Sequence, residues 1–170
     1  FRIGRKDSVW KAISQMQTLH GKKEFDFLAE CYLLNRDRPR LKRDWEKGFG
    51  GAGKQKWIIK PNASARGIGI RVVTDFSQVP KKKACLVQRY LQHPYLVNET
   101  KFDLRIYVYV TSYDPLRVYI CLNGLARFAT CKYSNKKGSA GNRFMHLTNY
   151  SINVKSDEFV QNEDATAAEG

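Results

Sequence analysis

An α+β fold is predicted by three observations. Two helical segments open the chain, β-branched and aromatic runs separated by Pro, Gly, Asn and Asp fill most of the rest, and the later runs lie too close together for crossover helices. The first helix is DSVWKAISQMQTLHG. Val9, Trp10, Ile13, Met16 and Leu19 recur there at helical spacing on a core-facing stripe, Asp7 or Ser8 offers a cap for the first turn, and Gly21 closes the last. The second starts near Asp37 in DRPRLKRDWEKG, with Pro39 in its first turn, Leu41 and Trp45 on one face and Gly48 as its stop. GFGGAGKQ then reads as a surface loop. The strands are KWIIK, IGIRVVTDF, ACLVQRYL, DLRIYVYVTSYDPLRVYICLNG, which SYDPL folds into a hairpin, and LARFATCKYS. No internal repeat or low-complexity tract occurs.

Thirty Lys plus Arg against sixteen Asp plus Glu give a formal charge of +14, which draws an acidic partner: nucleic acid, a phosphorylated ligand or an acidic protein tail. Lys42, Arg43, Lys81, Lys82 and Lys83 lie outside the motifs described below, and this surplus is expected to steer such a partner toward the protein. Cys31, Cys85, Cys121 and Cys131 are far apart, without a CxxC, and His20, His93 and His146 are equally scattered. Reduced thiols in a cytosolic protein are therefore expected, and no metal site built from Cys or His. The chain opens on FRIGRKDSVW and closes on QNEDATAAEG, with no initiator Met, apolar signal segment or run of membrane length. It reads as an internal piece of a soluble protein.

Three stretches bear chemistry. In KPNASARGIGI (residues 60–70) a strand ends in Lys60, Pro61 cannot continue the ladder, small residues let backbone amides approach an anion, and Lys60 and Arg66 place positive charge on both sides. It is no Walker A motif, because GxxxxGK with Ser or Thr is missing and a strand follows. It fits a hairpin lid over phosphates, or equally a glycine-containing turn on a basic surface. In KFDLRIYVYV, alternation puts Lys101, Asp103, Arg105, Tyr107 and Tyr109 on one face and Phe102, Leu104, Ile106, Val108 and Val110 on the other, which is expected to be core. The charged face is either a solvated ladder of ion pairs or the lining of a cleft for an oxyanion, which the fork of Arg105 would suit. Third, Arg127 lies on the strand GLARFATCKY, and HLTNYS gathers Thr148, Asn149 and Ser151.

Taken in order, RKD, WIIKP, SARGIGI, LVQRYL, KFDLRIYVYVTS, LARFA and HLTNYS, from about Gly4 to Ser151, resemble the tubulin tyrosine ligase-like enzymes. The resemblance implies an ATP-grasp fold, with residues 1–91 forming the central lobe, its lid loop and its adenine hinge. Residues 92–170 would begin the C-terminal lobe and end in a polar tail. VTSYDPL, HLTNYSIN and Tyr107, where the tyrosine ligase and glycylase branches tend to carry Trp, favour the polyglutamylase branch; those two branches are the alternatives.

The site residues that the resemblance implies are as follows. Lys60 contacts ATP phosphates; Arg66 and Gly67 form the lid, with Arg66 also near the acceptor protein. Gln88, Arg89, Tyr90 and Leu91 form the adenine hinge, Lys101, Phe102 and Asp103 lie at the ribose and phosphates, and Arg105 lies near the transferred phosphoryl group. Arg127 binds the carboxylate of the incoming L-glutamate, Thr148 and Asn149 contact the nucleotide, Ser151 touches the glutamate, and Lys6 reaches the nucleotide. ATP would phosphorylate a side-chain carboxylate in a tubulin tail, and the amine of free glutamate would attack the acylphosphate. ATP and Mg2+ are the implied cofactors, and tubulin or microtubules the implied partner, in the cytoplasm, on the cytoskeleton, at a cilium or basal body. A membrane is not expected. The family's magnesium ligands belong to a downstream LLEVN-like segment that this sequence lacks, so the piece alone is expected to be inactive, and Asp157, Glu158, Glu163 and Asp164 are not nominated. The rival reading is a basic module that binds nucleic acid or anionic filaments without chemistry. KKK at residues 81–83 and the many tyrosines would suit it, but no nucleic-acid motif occurs.

Overall fold

The computed structural model describes residues 3–48 and 55–161, so most of the glycine-rich connection after the second helix and the end of the polar tail lie outside the described residues. The chain divides into two compact units, Phe1–Pro94 with Ser134–Arg143, and Tyr95–Tyr133 with Phe144–Gly170.

The first unit is a four-stranded sheet between two helices. α1 (Lys6–His20) precedes β1 (Cys31–Leu33), α2 (Leu34–Glu46), β2 (Trp57–Pro61), β3 (Arg71–Val73) and β4 (Cys85–Arg89). The sheet order is β1-β4-β2-β3 and every ladder is antiparallel. Strand alternation gives the sheet two faces. Trp10 of α1 packs with Cys31, Leu33 and Leu86 on one, while Leu34 and Leu41 of α2 pack with Tyr32, Trp57, Ile59, Val73, Cys85 and Val87 on the other. Trp57 anchors the second layer, stacked on Trp45 at 5.3 Å with Tyr32 edge-on at 5.6 Å. Leu41 is fully buried, a contribution of about 2 kcal/mol.

Several expectations change here. α1 ends as read, with Gly21 at φ 93° donating to the Gln17 carbonyl. Its start has no side-chain cap, because Asp7 is engaged by Arg5 instead. Only Trp10 of the stripe is fully buried; Met16 and Leu19 face outward. α2 begins three residues before Asp37. The Asp37 carboxylate accepts the Leu33 N–H at 3.0 Å and so fixes the first turn from inside the helix, which leaves Pro39 in the interior rather than the first turn. Pro61 closes β2 with its Cα opposite Cys85, since a strand's last residue can lack an N–H without breaking the ladder.

The second unit holds β5 (Leu96–Val97), β6 (Thr100–Arg105) and β9 (Leu125–Lys132) as one antiparallel sheet and β7 (Val108–Tyr113) with β8 (Leu116–Ile120) as a two-stranded one. The SYDPL hairpin is present. The single-turn helices α3 (Arg143–His146) and α4 (Tyr150–Asn153) follow. The apolar side of KFDLRIYVYV is not core among the described residues. Leu104, Ile106, Val108 and Val110 are 61%, 52%, 55% and 37% exposed, because β7 and β8 pair only with each other and no second layer covers them. The charged row is also shorter than alternation predicts, for β6 stops at Arg105 and the chain leaves the strand before Tyr107.

Candidate functional site

In the first unit, Lys60 lies on the sheet face that packs against α1, at the end of β2, and its Nζ donates to Gln88 Oε1 at 2.6 Å. Burial pulls the Lys60 ammonium below the ordinary lysine value, and the charge of Lys6 adds to that pull. The same burial pushes the Cys31 thiol up to about 12 and keeps it neutral. Lys60 is thus a half-buried cation whose bonded partner is an uncharged amide, so its positive field is not cancelled at short range.

The loop that follows joins β2 to β3, which pair as a hairpin, and it is built of turns: Ile68 N–H donates to the Ala65 carbonyl and Ile70 N–H to Gly67. Arg66, Gly67 and Gly69 all have positive φ, at 56°, 72° and 69°. Arg66 is exposed and Gly67 buried. Lys6, the first residue of α1, donates to the carbonyls of Pro61 and Ser64, and Arg143 donates to that of Gly67 at 3.1 Å. Two cations that the sequence places 55 and 76 residues away from these partners therefore hold the loop backbone.

A β-carbon at Gly69 would stand 2.9 Å from Pro61 Cγ in a conformation that L side chains rarely adopt. Gly69→Ala is expected to destabilise the full-length protein by about 1–2 kcal/mol, read as a fall in Tm. Gly138→Ala, where a β-carbon meets open space, is the control and should leave Tm in place.

The segment Gln88–Leu91 leaves β4 with its backbone largely spoken for. Arg89 N–H donates to the Glu30 carbonyl, Tyr90 N–H to the Lys56 carbonyl, and the Tyr90 carbonyl accepts from Gln55 Nε2. Lys56, which sequence reasoning missed, is 3% exposed and donates to the carbonyls of Asn135 and Lys136 at 2.9 and 3.1 Å; burial lowers its pKa. Only its place just before the strand in KQKWII hinted at a special lysine.

In the second unit the structure gathers Lys101, Asp103, Arg105, Arg127 and Thr148. Asp103 and Arg127 face each other across β6 and β9, and the guanidinium binds the carboxylate through both Nε and Nη2. Burial works to raise the Asp103 carboxyl, but hydrogen bonds from Arg127 and Thr148 and the charges of Arg127 and Arg105 hold it below the usual carboxylate range. Lys101 Nζ donates to the His146 carbonyl at 3.0 Å. Phe102 turns away from these groups, stacked on Phe128 at 5.5 Å. Asn149 precedes α4, and its carbonyl accepts the N–H groups of Ile152 and Asn153. Ser151 lies half-buried within α4. Among the described residues no three His, Cys, Asp or Glu side chains gather as metal ligands, and all four cysteines are free.

The profile of the tubulin-tyrosine ligase family matches residues 1–170, the whole chain. The chain belongs to the tubulin-tyrosine ligase family. Within it, the chain is 55% identical over 170 residues to the tubulin monoglutamylase TTLL4 of Mus musculus, and equally to that of Homo sapiens, covering 100% of this chain and 14% of each relative. The motifs VTSYDPL and HLTNYSIN point to the same member of the family, tubulin tyrosine ligase-like protein 4. It is 42% identical over 164 residues to the tubulin polyglutamylase TTLL5 of Mus musculus, covering 96% of the chain and 12% of the relative. The chain thus spans 14% of the length of the first two relatives and 12% of the third. Among the described residues, no helix of this family member is long and apolar enough to cross a membrane.

Proposed function

We propose that the full-length protein is an ATP-dependent tubulin glutamylase of the ATP-grasp fold, joining L-glutamate to the side-chain carboxylate of a glutamate in a tubulin tail. The observation that carries this reading is the 55% identity over all 170 residues to proteins named tubulin monoglutamylase. The groups described above supply the chemistry it needs. A carboxylate is a poor electrophile, so an acceptor oxygen first takes the γ-phosphoryl group of ATP and ADP leaves. The amine of free glutamate then attacks the acyl carbon, phosphate departs with its bonding pair, and the nitrogen loses a proton to leave an isopeptide bond. Catalysis of this kind rests on positioning, charge stabilisation and water exclusion, since water would hydrolyse the acylphosphate.

Most of the nominated residues have a task in that scheme; Phe102, stacked on Phe128, and Lys6, bonded to the loop backbone, support the others. Lys60 holds a phosphate, its charge undiminished by Gln88. The Arg66–Gly67 loop closes over the phosphates and meets the acceptor. At the hinge Gln88–Leu91, the amides of Arg89 and Tyr90 already serve the protein, so adenine reading falls to the backbone around Leu91. Lys101, Asp103, Thr148 and Asn149 serve the nucleotide, Arg105 the transferred phosphoryl group, and Arg127 with Ser151 the incoming glutamate. Among the described residues no three His, Cys, Asp or Glu side chains gather to hold a metal ion by themselves, and the resemblance puts the magnesium ligands in a downstream segment. The surplus of positive charge suits an acidic tubulin tail, and the reading carries with it a place on the cytoskeleton, at a cilium or basal body.

The test is to incubate the full-length protein with ATP, magnesium, tubulin and radiolabelled glutamate, tyrosine or glycine in parallel. ATP-dependent incorporation of glutamate alone is expected. Incorporation of tyrosine or glycine in its place would move the protein to another branch, and no incorporation of any of the three would overturn the ligase reading.

A further inference from the structure

Asn153 is 1% exposed, and its amide bridges two stretches of backbone in the second unit. Its Oδ1 accepts the Thr130 N–H at 2.9 Å and the Thr130 hydroxyl at 3.1 Å, while its Nδ2 donates to the carbonyls of Leu147 at 2.8 Å and Asn149 at 3.1 Å. Those two carbonyls flank Thr148, whose side chain bonds Asp103. Thr130 lies on β9, the strand that carries Arg127, the other donor to Asp103. One side chain therefore ties the turn holding one Asp103 donor to the strand holding the other. Its bonding capacity is filled, two donors and one doubly used acceptor, so it has nothing left to offer a ligand directly.

We propose that Asn153 is a positioning residue that sets Thr148, and through it the Asp103 carboxylate, for the nucleotide site. This rests on the nucleotide roles given above to Asp103 and Thr148. Only an amide of this length serves. Aspartate keeps the acceptor for Thr130 but sets a carboxylate oxygen against two carbonyls; serine cannot span the distance; leucine leaves buried polar groups on both sides without partners. A purely structural amide would give the same contacts but a different energetic signature. Its loss would lower stability and the yield of folded protein, and it would add independently to a change at Thr148.

The experiment is a double-mutant cycle in the full-length protein, with Asn153→Asp, Thr148→Val and the pair, read as kcat and KM for ATP and as ATP affinity by equilibrium binding. Thr148→Val and Asn153→Asp are each expected to raise the KM for ATP on the order of tenfold, and the pair to be little worse than either alone. Should Asn153→Asp fail to accumulate as folded protein, Asn153→Ser and Thr130→Val replace it in the same cycle. Additive losses, or wild-type KM and kcat in a folded Asn153 variant, would overturn the positioning role while leaving the nucleotide site standing. If Thr148→Val and Asp103→Asn both leave ATP affinity unchanged, the underlying assignment fails first, and the inference with it.

Discussion

In the full-length protein, Lys60→Met is expected to lower kcat/KM for ATP on the order of 100-fold while the domain stays folded. The magnitude follows from where the ammonium sits. It is half-buried at the end of β2, it donates to the neutral Gln88 Oε1, and burial already presses it toward losing its proton. A phosphate oxygen arriving there would relieve that pressure by supplying a counter-charge in a poorly solvated place, where ion pairs are worth more than on the surface. Methionine keeps the apolar stem against the α1 face and discards the charge. What it costs in folding is the donor to Gln88, an amide that also bonds the Ala29 carbonyl through Nε2 and so retains one partner. Loss of ATP affinity with a Tm within a few degrees of the wild type is the expected pair of results. An unchanged ATP affinity would make Lys60 a structural lysine.

The parts of this protein that were legible in the sequence are those whose cause is local. Helix periodicity and Gly21 gave α1 its span. The Lys60–Ile70 loop could be read as a hairpin connection because a strand pattern stands on each side of it, and the pairing of β2 with β3 bears that out. β1 escaped notice because its three residues run straight into α2 as one apolar stretch, Cys31 to Leu34, with no turn residue between them. The start of α2 was misplaced for a related reason. Pro39 signals a first turn, but the Asp37 carboxylate at the Leu33 N–H overrides it, and that bond exists only once the helix has formed. The side chains that shape the candidate site were illegible for a different reason. Lys6 on Pro61, Lys56 on Asn135 and Asn153 on Thr130 bridge 55, 79 and 23 residues, and no periodicity encodes a contact at such range. Alternation also misled where it was trusted furthest. Leu104 alternates with the charges on β6 while Val108 already belongs to another sheet, and a face becomes core only when another layer covers it, which none among the described residues does.

The same reasoning about uncancelled charge leads to a different expectation at Arg127. Its guanidinium has five N–H donors in a rigid fork, and Nε with one terminal nitrogen already grips Asp103. The remaining donors are fixed in direction by that grip, and a carboxylate kept firmly ionised cannot release them by taking up a proton. Under the proposed assignment Asp103 is a mount, and the remaining edge of Arg127 is the part that would meet a carboxylate of glutamate. Because the two side chains are 28% and 34% exposed, the pair itself adds little to folding stability, so its disruption should be felt in binding rather than in Tm. Arg127→Lys preserves the charge but not the fork. It is expected to raise the KM for glutamate roughly 10- to 100-fold, with a smaller change in the KM for ATP. Asp103→Asn should raise both, since it loosens the mount and alters the group assigned to the nucleotide. The decisive comparison is Arg127→Lys under saturating ATP with glutamate varied. A wild-type KM for glutamate in that variant would show that charge alone suffices, and the fork held by Asp103 would have no part in recognising the amino acid.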